Sequence, residues 1–393
     1  KRFTLYPGLP VSVPRSKKYT RRPVTRGLDS ARISKSPNGH CGRYPLEFLL
    51  FLYPRSSFDP LASEIKSLDN GDSPSSIVCM LKFDEVLNLF QSLTVWSNGT
   101  ERAPHKPLLA LWAIGRCLEG RDRLASYETI APKLKTLLRD FGPHRKVYHP
   151  EDPFWRLQKD HVWEIDRPNL VSLTDSGGAH TSSLKRHNIR GGFTEPVFDA
   201  LRRNQALAHT IAQMLLQSHF PTTLHDEIMR ATGIAAFALD SEPHGVEEIE
   251  LEYVSSRRLK RNDGFRSSVL EAYENQCAVC EFAVRLDKNP IAIEAAHIQW
   301  HRAAGPAKTI NGLSLCALHH KLFDKGVFTL LPSELKVIVS EEASGHGFEE
   351  SLGQYHEKKL AVVPDDYDQR PAWQYIKWHV EQVFKSPEQI FPS

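Results

Sequence analysis

Residues 291–330 read IAIEAAHIQWHRAAGPAKTINGLSLCALHHKLFDKGVFTL, and their interpretation decides the fold. AIEAAHIQW alternates well enough for a strand, GLSLC makes a short second strand, and ALHHKLFDKG makes a helix that Gly326 ends. Strand, long loop, strand and helix form a ββα unit. Within it, Glu294, His297, Asn311, Cys316, His319, His320 and Asp324 form a polar series for which a hydrophobic core has no use.

Two chelating pairs bracket the unit. Cys277-Ala-Val-Cys280 precedes it, Cys316-Ala-Leu-His319 opens its helix, and two intervening residues let each pair close on one ion. A Cys3His set fills a tetrahedral zinc site completely, so the expected site is structural, with no open position for chemistry. One Cys pair alone would be matched by two reduced, buried cysteines; two pairs flanking a single segment favour zinc. His320 and Asp324 stand four apart, so both leave one helix face and can hold a further cation. His319 points about a quarter-turn away, toward the zinc.

At these residues the chain resembles the HNH, or ββα-metal, endonucleases. The family's first His matches His297, its Asn matches Asn311 and its last His matches His320. The resemblance implies that His297 is the general base deprotonating the attacking water, that Asn311 orients the histidine or its loop, and that His320 binds Mg2+ or Mn2+. Phosphodiester hydrolysis needs an in-line nucleophile made by a base titrating near neutrality, and a hard cation for the charge growing on phosphate and leaving oxygen. In one respect the chain departs from the family. Many members carry an Asp or His metal ligand immediately before the base, where this chain has Ala296, and Asp324 with Glu294 are the expected replacements. His301 and Arg302 are candidates for the scissile phosphate, with plain solvent exposure the competing reading. The tail from Gly345 also looks like the end of many such nucleases. Trp373, Trp378 and Phe384 are expected in its core, and His379 is expected to be structural.

With 393 residues and 40% hydrophobic content, the chain is long enough for two or three soluble domains. Its longest apolar run, residues 108–114, falls far short of the roughly 20 residues of a transmembrane helix, and the first twenty residues lack the apolar stretch of a secretory signal. Three of the six cysteines lie in the chelating pairs, while Cys41, Cys79 and Cys117 are scattered. That usage suits thiolate metal binding in a reducing bacterial cytoplasm, not a disulfide scaffold. Of the 50 Lys and Arg residues, 13 fall in residues 1–80, against 6 of the 47 acidic residues. Nucleic-acid binding by the remainder therefore has to come from local patches.

Residues 1–79, rich in Ser, Pro, Arg and Gly, read as a disordered basic extension. Met80 reads as the natural start, with the preceding residues translated upstream sequence; a phosphate-gripping arm is the rival reading. Residues 80–240 are expected to form a mainly helical domain with short strands. MLKFDEVLNLFQSL, PLLALWAIGRCLEG and TIAPKLKTLLRDFG read as helices, the second ended by Gly120 and the third by Gly142. FWRL and VWEI read as strands, and helices near 195–218 and 224–239 complete the domain. An acidic linker at 241–253 leads to a second domain, 254–393, opening with a helix over about 264–274. The fold class is α+β.

In ERAPHKPLLALWAIG and GPHRKVYHPEDPFWRL, basic, aromatic and proline side chains are interleaved, and residues 101–160 hold 12 Lys and Arg against 8 acidic groups. These segments resemble the sulfur-binding domain of McrA-like type IV restriction endonucleases, which recognise phosphorothioate-modified DNA. The resemblance covers about residues 80–165 and implies a shallow apolar pocket for a soft sulfur, rimmed by cations on the flanking phosphates. Tyr148, Pro150, Pro153, Phe154 and Trp155 are candidates for the walls; His105, Lys106, His144, Arg145 and Lys146 are candidates for the rim. His105-Lys106 with Pro153 is the closest match to the family's pocket, and His144-Arg145 is the rival pair. Taken singly, Phe154, Trp155 and Trp163 read equally well as core. A second basic patch, Arg257, Arg258, Lys260, Arg261 and Arg266, suits tethering a duplex beside the cutting centre, though a solvated linker explains it too.

Together these parts imply a modification-dependent endonuclease that reads phosphorothioated double-stranded DNA and cuts it with a zinc-stapled HNH centre. A homodimer is the simplest way to cut both strands. Methylcytosine or unmodified DNA as the substrate ranks second, because residues 181–255 leave no room for a separate base-flipping domain. A zinc DNA-binding module without catalysis ranks third, since it needs no combination of His297, Asn311 and His320.

Overall fold

The computed structural model describes residues 82–95, 101–234 and 264–391. The expected extension 1–79, the linker 241–253 and the patch residues Arg257, Arg258, Lys260 and Arg261 lie outside the described residues.

The N-terminal half is built around helix His105–Leu118, which packs on helices Tyr127–Phe141, Glu151–Arg156, Glu195–Arg203 and Gln205–His219. Ten of its fourteen residues are buried, and its sequence is accordingly apolar nearly all round instead of striped. Pro107 falls in its first turn, where the missing N–H has no intrahelical acceptor to lose. Helix Tyr127–Phe141 starts at Ser126, whose side chain accepts from the Thr129 amide, and stops at Gly142.

A small antiparallel sheet closes the side of this bundle. Strand Arg190–Phe193 runs between Ala125–Ser126 and Trp163–Ile165. Gly192 is required there because a Cβ would lie 2.0 Å from the Arg123 carbonyl oxygen, a backbone-on-backbone approach that no other residue allows.

Two local expectations are corrected. FWRL is not a strand: it continues helix Glu151–Arg156 into the 3-10 turn Leu157–Asp160. Pro153 falls in the first turn of that helix, where proline is tolerated, and Glu151 and Asp152 complement the helix dipole. The helix expected over 195–218 is two, Glu195–Arg203 and Gln205–His219. Asn204 breaks it with an extended backbone and caps the second helix by accepting from the Leu207 amide. Helix His225–Ala231 follows, and residues 235–239 lie outside the described residues.

The C-terminal half begins with a helix over 264–272. Strands Ile293–His297 and Gly312–Cys316 pair antiparallel, with Ile293 opposite Cys316 and His297 opposite Gly312, and helix Ala317–Asp324 follows directly. Gly326 adopts φ +75°, the left-handed turn that ends this helix. A hairpin, Phe328–Leu331 with Lys336–Val339, and the terminal helix Trp373–Gln382 cover the unit. Trp378 and Phe384 are buried as expected, but Trp373 is 55% exposed, at the helix start with Lys377 over its ring. His379 is structural: it is fully buried, stacks on Phe323 and donates to the Phe323 carbonyl through Nε2.

The halves share a core. Trp300, Trp378 and Val383 pack into the apolar cluster of the N-terminal half, and Arg102 reaches the other way to donate to the carbonyls of Gln382 and Phe141. No helix among the described residues is long and apolar enough to cross a membrane.

Candidate metal centre and active site

The ββα geometry sorts the polar series into two groups. Cys277, Cys280, Cys316 and His319 bring one ligand atom each to within 4.8 Å of one another. His319 Nδ1 lies 3.5 Å from the Cys277 sulfur and 3.2 Å from the Cys316 sulfur, while its Nε2 is 3.0 Å from the Ser351 carbonyl oxygen. That second bond assigns the proton to Nε2 and turns Nδ1 toward the sulfurs, the outer-shell arrangement expected around a metal-binding histidine. Three thiols and an imidazole, gathered in a largely buried cluster, fit a closed tetrahedral ion.

The second group flanks helix Ala317–Asp324. His320 Nδ1 lies 2.6 Å from Glu294 Oε2, and its Nε2 lies 3.2 Å from Asp324 Oδ2. Burial opposes charge on this ring, but Asp324 and then Glu294 outweigh it and push the pKa up to about 10. The two carboxylates thus sit on opposite ring nitrogens and do not converge on one point with His320. Asp324 is buried and already accepts from Thr223 and from the Trp300 indole, whereas the Glu294 side chain is 45% exposed. The methyl of Ala296, where many HNH enzymes place a ligand, belongs to the hydrophobic core.

His297 ends its strand stacked on Phe265, ring centroids 3.8 Å apart. Its Nε2 is buried without a hydrogen-bond partner. Burial and then the neighbouring His301 lower its pKa to about 4, against the pull of Asp324, so the ring is neutral with a nitrogen to spare. Asn311 is fully buried. Its Oδ1 accepts from the Gln299 amide at 2.8 Å, and its Nδ2 donates to the carbonyls of Gln299 and Pro306 at 3.0 and 2.9 Å. It fastens the loop after His297 and makes no hydrogen bond to the ring itself.

Two family models match the chain: the ScoMcrA-like DNA sulfur-binding domain over residues 83–237, and the HNH endonuclease over residues 277–331. The chain joins a sulfur-binding domain to an HNH endonuclease domain. Three similar solved structures are as follows. The sulfur-binding domain of ScoMcrA complexed with phosphorothioated DNA is 23% identical, with 38% of this chain and 96% of that one covered and a TM-score of 0.34. That of SprMcrA, also with phosphorothioated DNA, is 20% identical over 39% and 96%, TM-score 0.34. The type IV phosphorothioation-dependent restriction endonuclease ScoMcrA is 22% identical over 38% of this chain, TM-score 0.33, and the match spans about a third (32%) of that endonuclease. No curated protein matches.

Within the sulfur-binding domain the structure divides the candidate pocket residues. Phe154 is fully buried, edge-on to Tyr127 and Trp163, and Pro153 and Pro150 are buried beside it. Lys106 is committed to a buried ion pair with Asp160, which also accepts from the Thr94 amide. Half-buried His105, Tyr148 and Trp155 and exposed Arg145 and Lys146 remain accessible, and His144 lies 3.6 Å from Glu388. Arg266, from the second basic patch, donates to the Ile293 carbonyl. His301 and Arg302 are exposed in the loop between the strands. Sequence reasoning missed Phe265, Thr223, Trp300, Arg102 and Asp160. Each acts through a contact distant in sequence, and none stands in a motif that marks it.

Proposed function

We propose that this protein is a modification-dependent restriction endonuclease that binds phosphorothioated double-stranded DNA and hydrolyses phosphodiester bonds in its HNH domain. The observation carrying the nuclease half is His297: a neutral imidazole, held by Phe265, with a buried and unpartnered Nε2 beside His320 and its two carboxylates. Such a nitrogen accepts a proton from water. An approaching phosphate raises the pKa of the ring from about 4 toward neutrality, where a general base works best. His320 with Glu294 would hold a divalent cation, Mg2+ or Mn2+, which neutralises charge developing on the phosphate. Asp324, on the other ring nitrogen, would then be the carboxylate that orients the ring. Asn311 keeps the loop after His297 in register, and Cys277, Cys280, Cys316 and His319 hold a structural zinc.

The sulfur-reading half draws on the domain match. A soft, weakly hydrated sulfur calls for apolar walls, which half-buried Tyr148 and Trp155 would supply, with His105 and Arg145 toward the flanking phosphates. The cysteine usage suits a reducing cytoplasm, and a homodimer would let two centres cut both strands.

Digestion of phosphorothioated and unmodified duplexes of equal sequence, with Mg2+ or Mn2+, tests the proposal. Cutting confined to the phosphorothioated duplex is expected, and equal cutting of both refutes sulfur reading. His297→Ala is expected to abolish cutting while leaving binding intact; undiminished cutting removes His297 from its role.

A further inference from the structure

The proposed active site is joined to the sulfur-binding domain through one carboxylate. Asp324, 3% exposed, accepts from Trp300 Nε1 with Oδ1 at 3.1 Å, and its Oδ2 accepts from Thr223 Oγ1 while facing His320 Nε2 at 3.2 Å. Thr223 falls within the sulfur-binding domain match, and the other three residues lie in the nuclease half. One turn further on, Glu227 pairs with Lys321 at 3.1 Å and with Lys325, so the helix carrying His320 is fastened to residues 222–227 at a hydroxyl and two ion pairs. Trp300 is itself held beneath the Arg102 guanidinium at 3.9 Å.

We infer that Thr223 is a positioning residue for the nuclease centre, contributed by the sulfur-binding domain: its hydroxyl fixes the Asp324 carboxylate, and the carboxylate fixes the His320 ring. The inference rests on the nuclease reading above. The last torsion of a carboxylate is soft, so its orientation is set by the donors around it. With the hydroxyl gone, Oδ2 keeps the imidazole among the donors of the described residues, and the pair turns together. Loss of such an outer-shell partner lowers activity or metal affinity by about 10- to 100-fold. The HNH centre is therefore complete only while the sulfur-binding domain is docked on its helix, which ties cutting to the domain that reads the modification.

The full-length chain is tested as Thr223→Val, which keeps the shape and removes the hydroxyl, and as Thr223→Ser, which restores it. Expected for Thr223→Val is a kcat at least tenfold lower on phosphorothioated duplex. KM and affinity for that duplex stay those of the parent, the melting temperature falls by no more than a few degrees, and Thr223→Ser cuts at the parent rate. A Thr223→Val protein that cuts at the parent rate overturns the inference. So does one whose rate falls only in step with affinity and melting temperature, without rescue by serine. The contact is also read without activity, from the indole N–H resonance of Trp300, assigned with Trp300→Phe. That resonance shifts in Thr223→Val if the two donors share the carboxylate, and an unmoved resonance overturns the inference. A parent chain that cuts no DNA refutes the nuclease reading, while the indole measurement still judges the contact.

Discussion

Asn311→Asp and Asn311→Ala separate a loop fastener from a residue that touches the chemistry. The Asn311 side chain satisfies three buried backbone groups: the Gln299 amide and the carbonyls of Gln299 and Pro306. Truncation to alanine orphans all three at roughly 1–3 kcal/mol each. Because the Pro306 carbonyl is only part-buried, the lower end applies, and a loss of about 3 kcal/mol is expected. The aspartate variant keeps the acceptor for the Gln299 amide but sets its second oxygen against two carbonyls. Ionised, it is the worse of the two; protonated, it can donate to one carbonyl. Its folded pKa is therefore raised above the unfolded value, so stability is present below the unfolded pKa near 3.9 and is lost as pH rises through the folded one. Denaturant titrations of parent and both variants at several pH values measure this, and amide exchange at Ile298 and Gln299 locates it. A deficit of Asn311→Asp relative to the parent that does not shrink below about pH 5 refutes the argument. So does an alanine variant within about 1 kcal/mol of the parent with unchanged exchange.

Phe265→Ala removes the ring stacked on His297 and opens the imidazole to water. Its pKa should climb from about 4 toward the ordinary 6.5, read by NMR titration; an unchanged midpoint means that the stack does not control solvation. Cys316→Ser removes one of four ligand atoms, so metal analysis after mild chelation should fall from about one zinc per parent chain to none, with the ββα unit melting earlier. Among the histidines depressed chiefly by burial, His219 and His297 fall to about 4 and His379 to about 3. Their contribution is present above the unfolded pKa of 6.5 and lost as pH falls through the folded values, because the unfolded chain binds the extra protons. Between those limits the unfolding free energy should drop by up to about 4 kcal/mol per pH unit for three protons. Urea titrations across pH 4 to 7 check this, and a flat profile contradicts it.

The second strand and the helix of the ββα unit are legible nearly to the residue, because each device there is local, a glycine stop and chelating pairs two residues apart, whereas the first strand ends at His297, three residues short of the alternating stretch AIEAAHIQW. The Cys3His cluster was legible for the same reason. FWRL was not, because its apolar spacing serves a strand as well as the end of a short helix; Pro153 and the two acidic residues before it settle the matter only through their place in the first turn. The ion pair of Lys106 is invisible in the sequence because its partner, Asp160, lies 54 residues away. The i,i+4 spacing of His320 and Asp324 predicts a shared helix face, and the two side chains do meet at 3.2 Å, but spacing says nothing of Glu294 arriving from a strand on the other ring nitrogen, or of Thr223 arriving from the other half.

The polar joint between the halves supplies geometry where an apolar one would supply adhesion. Burial, partly relieved by Asp324, lowers the pKa of Arg102 from 12.5 to about 9, which corresponds to about 5 kcal/mol against its charge. The guanidinium nevertheless stays protonated at neutral pH. In return it donates to the carbonyls of Gln382 and Phe141, together about 3 kcal/mol, and lies over the Trp300 ring, a desolvated contact of about 2 kcal/mol. These contacts offset the burial of the charge, so the part Arg102 plays in the joint is positional. The guanidinium fixes three groups in one rigid fork: the end of the terminal helix, the end of helix Tyr127–Phe141 and the indole of Trp300. Trp300 passes that fixed position to Asp324, and Asp324 passes it to His320. An apolar side chain at position 102 would fill the space while leaving the indole free to slide, and a slide of about 1 Å is enough to break a hydrogen bond to a carboxylate. The same reasoning applies on the other side of Asp324, where Thr223 fixes the carboxylate from the sulfur-binding domain. The His320 imidazole is therefore located by both halves at once.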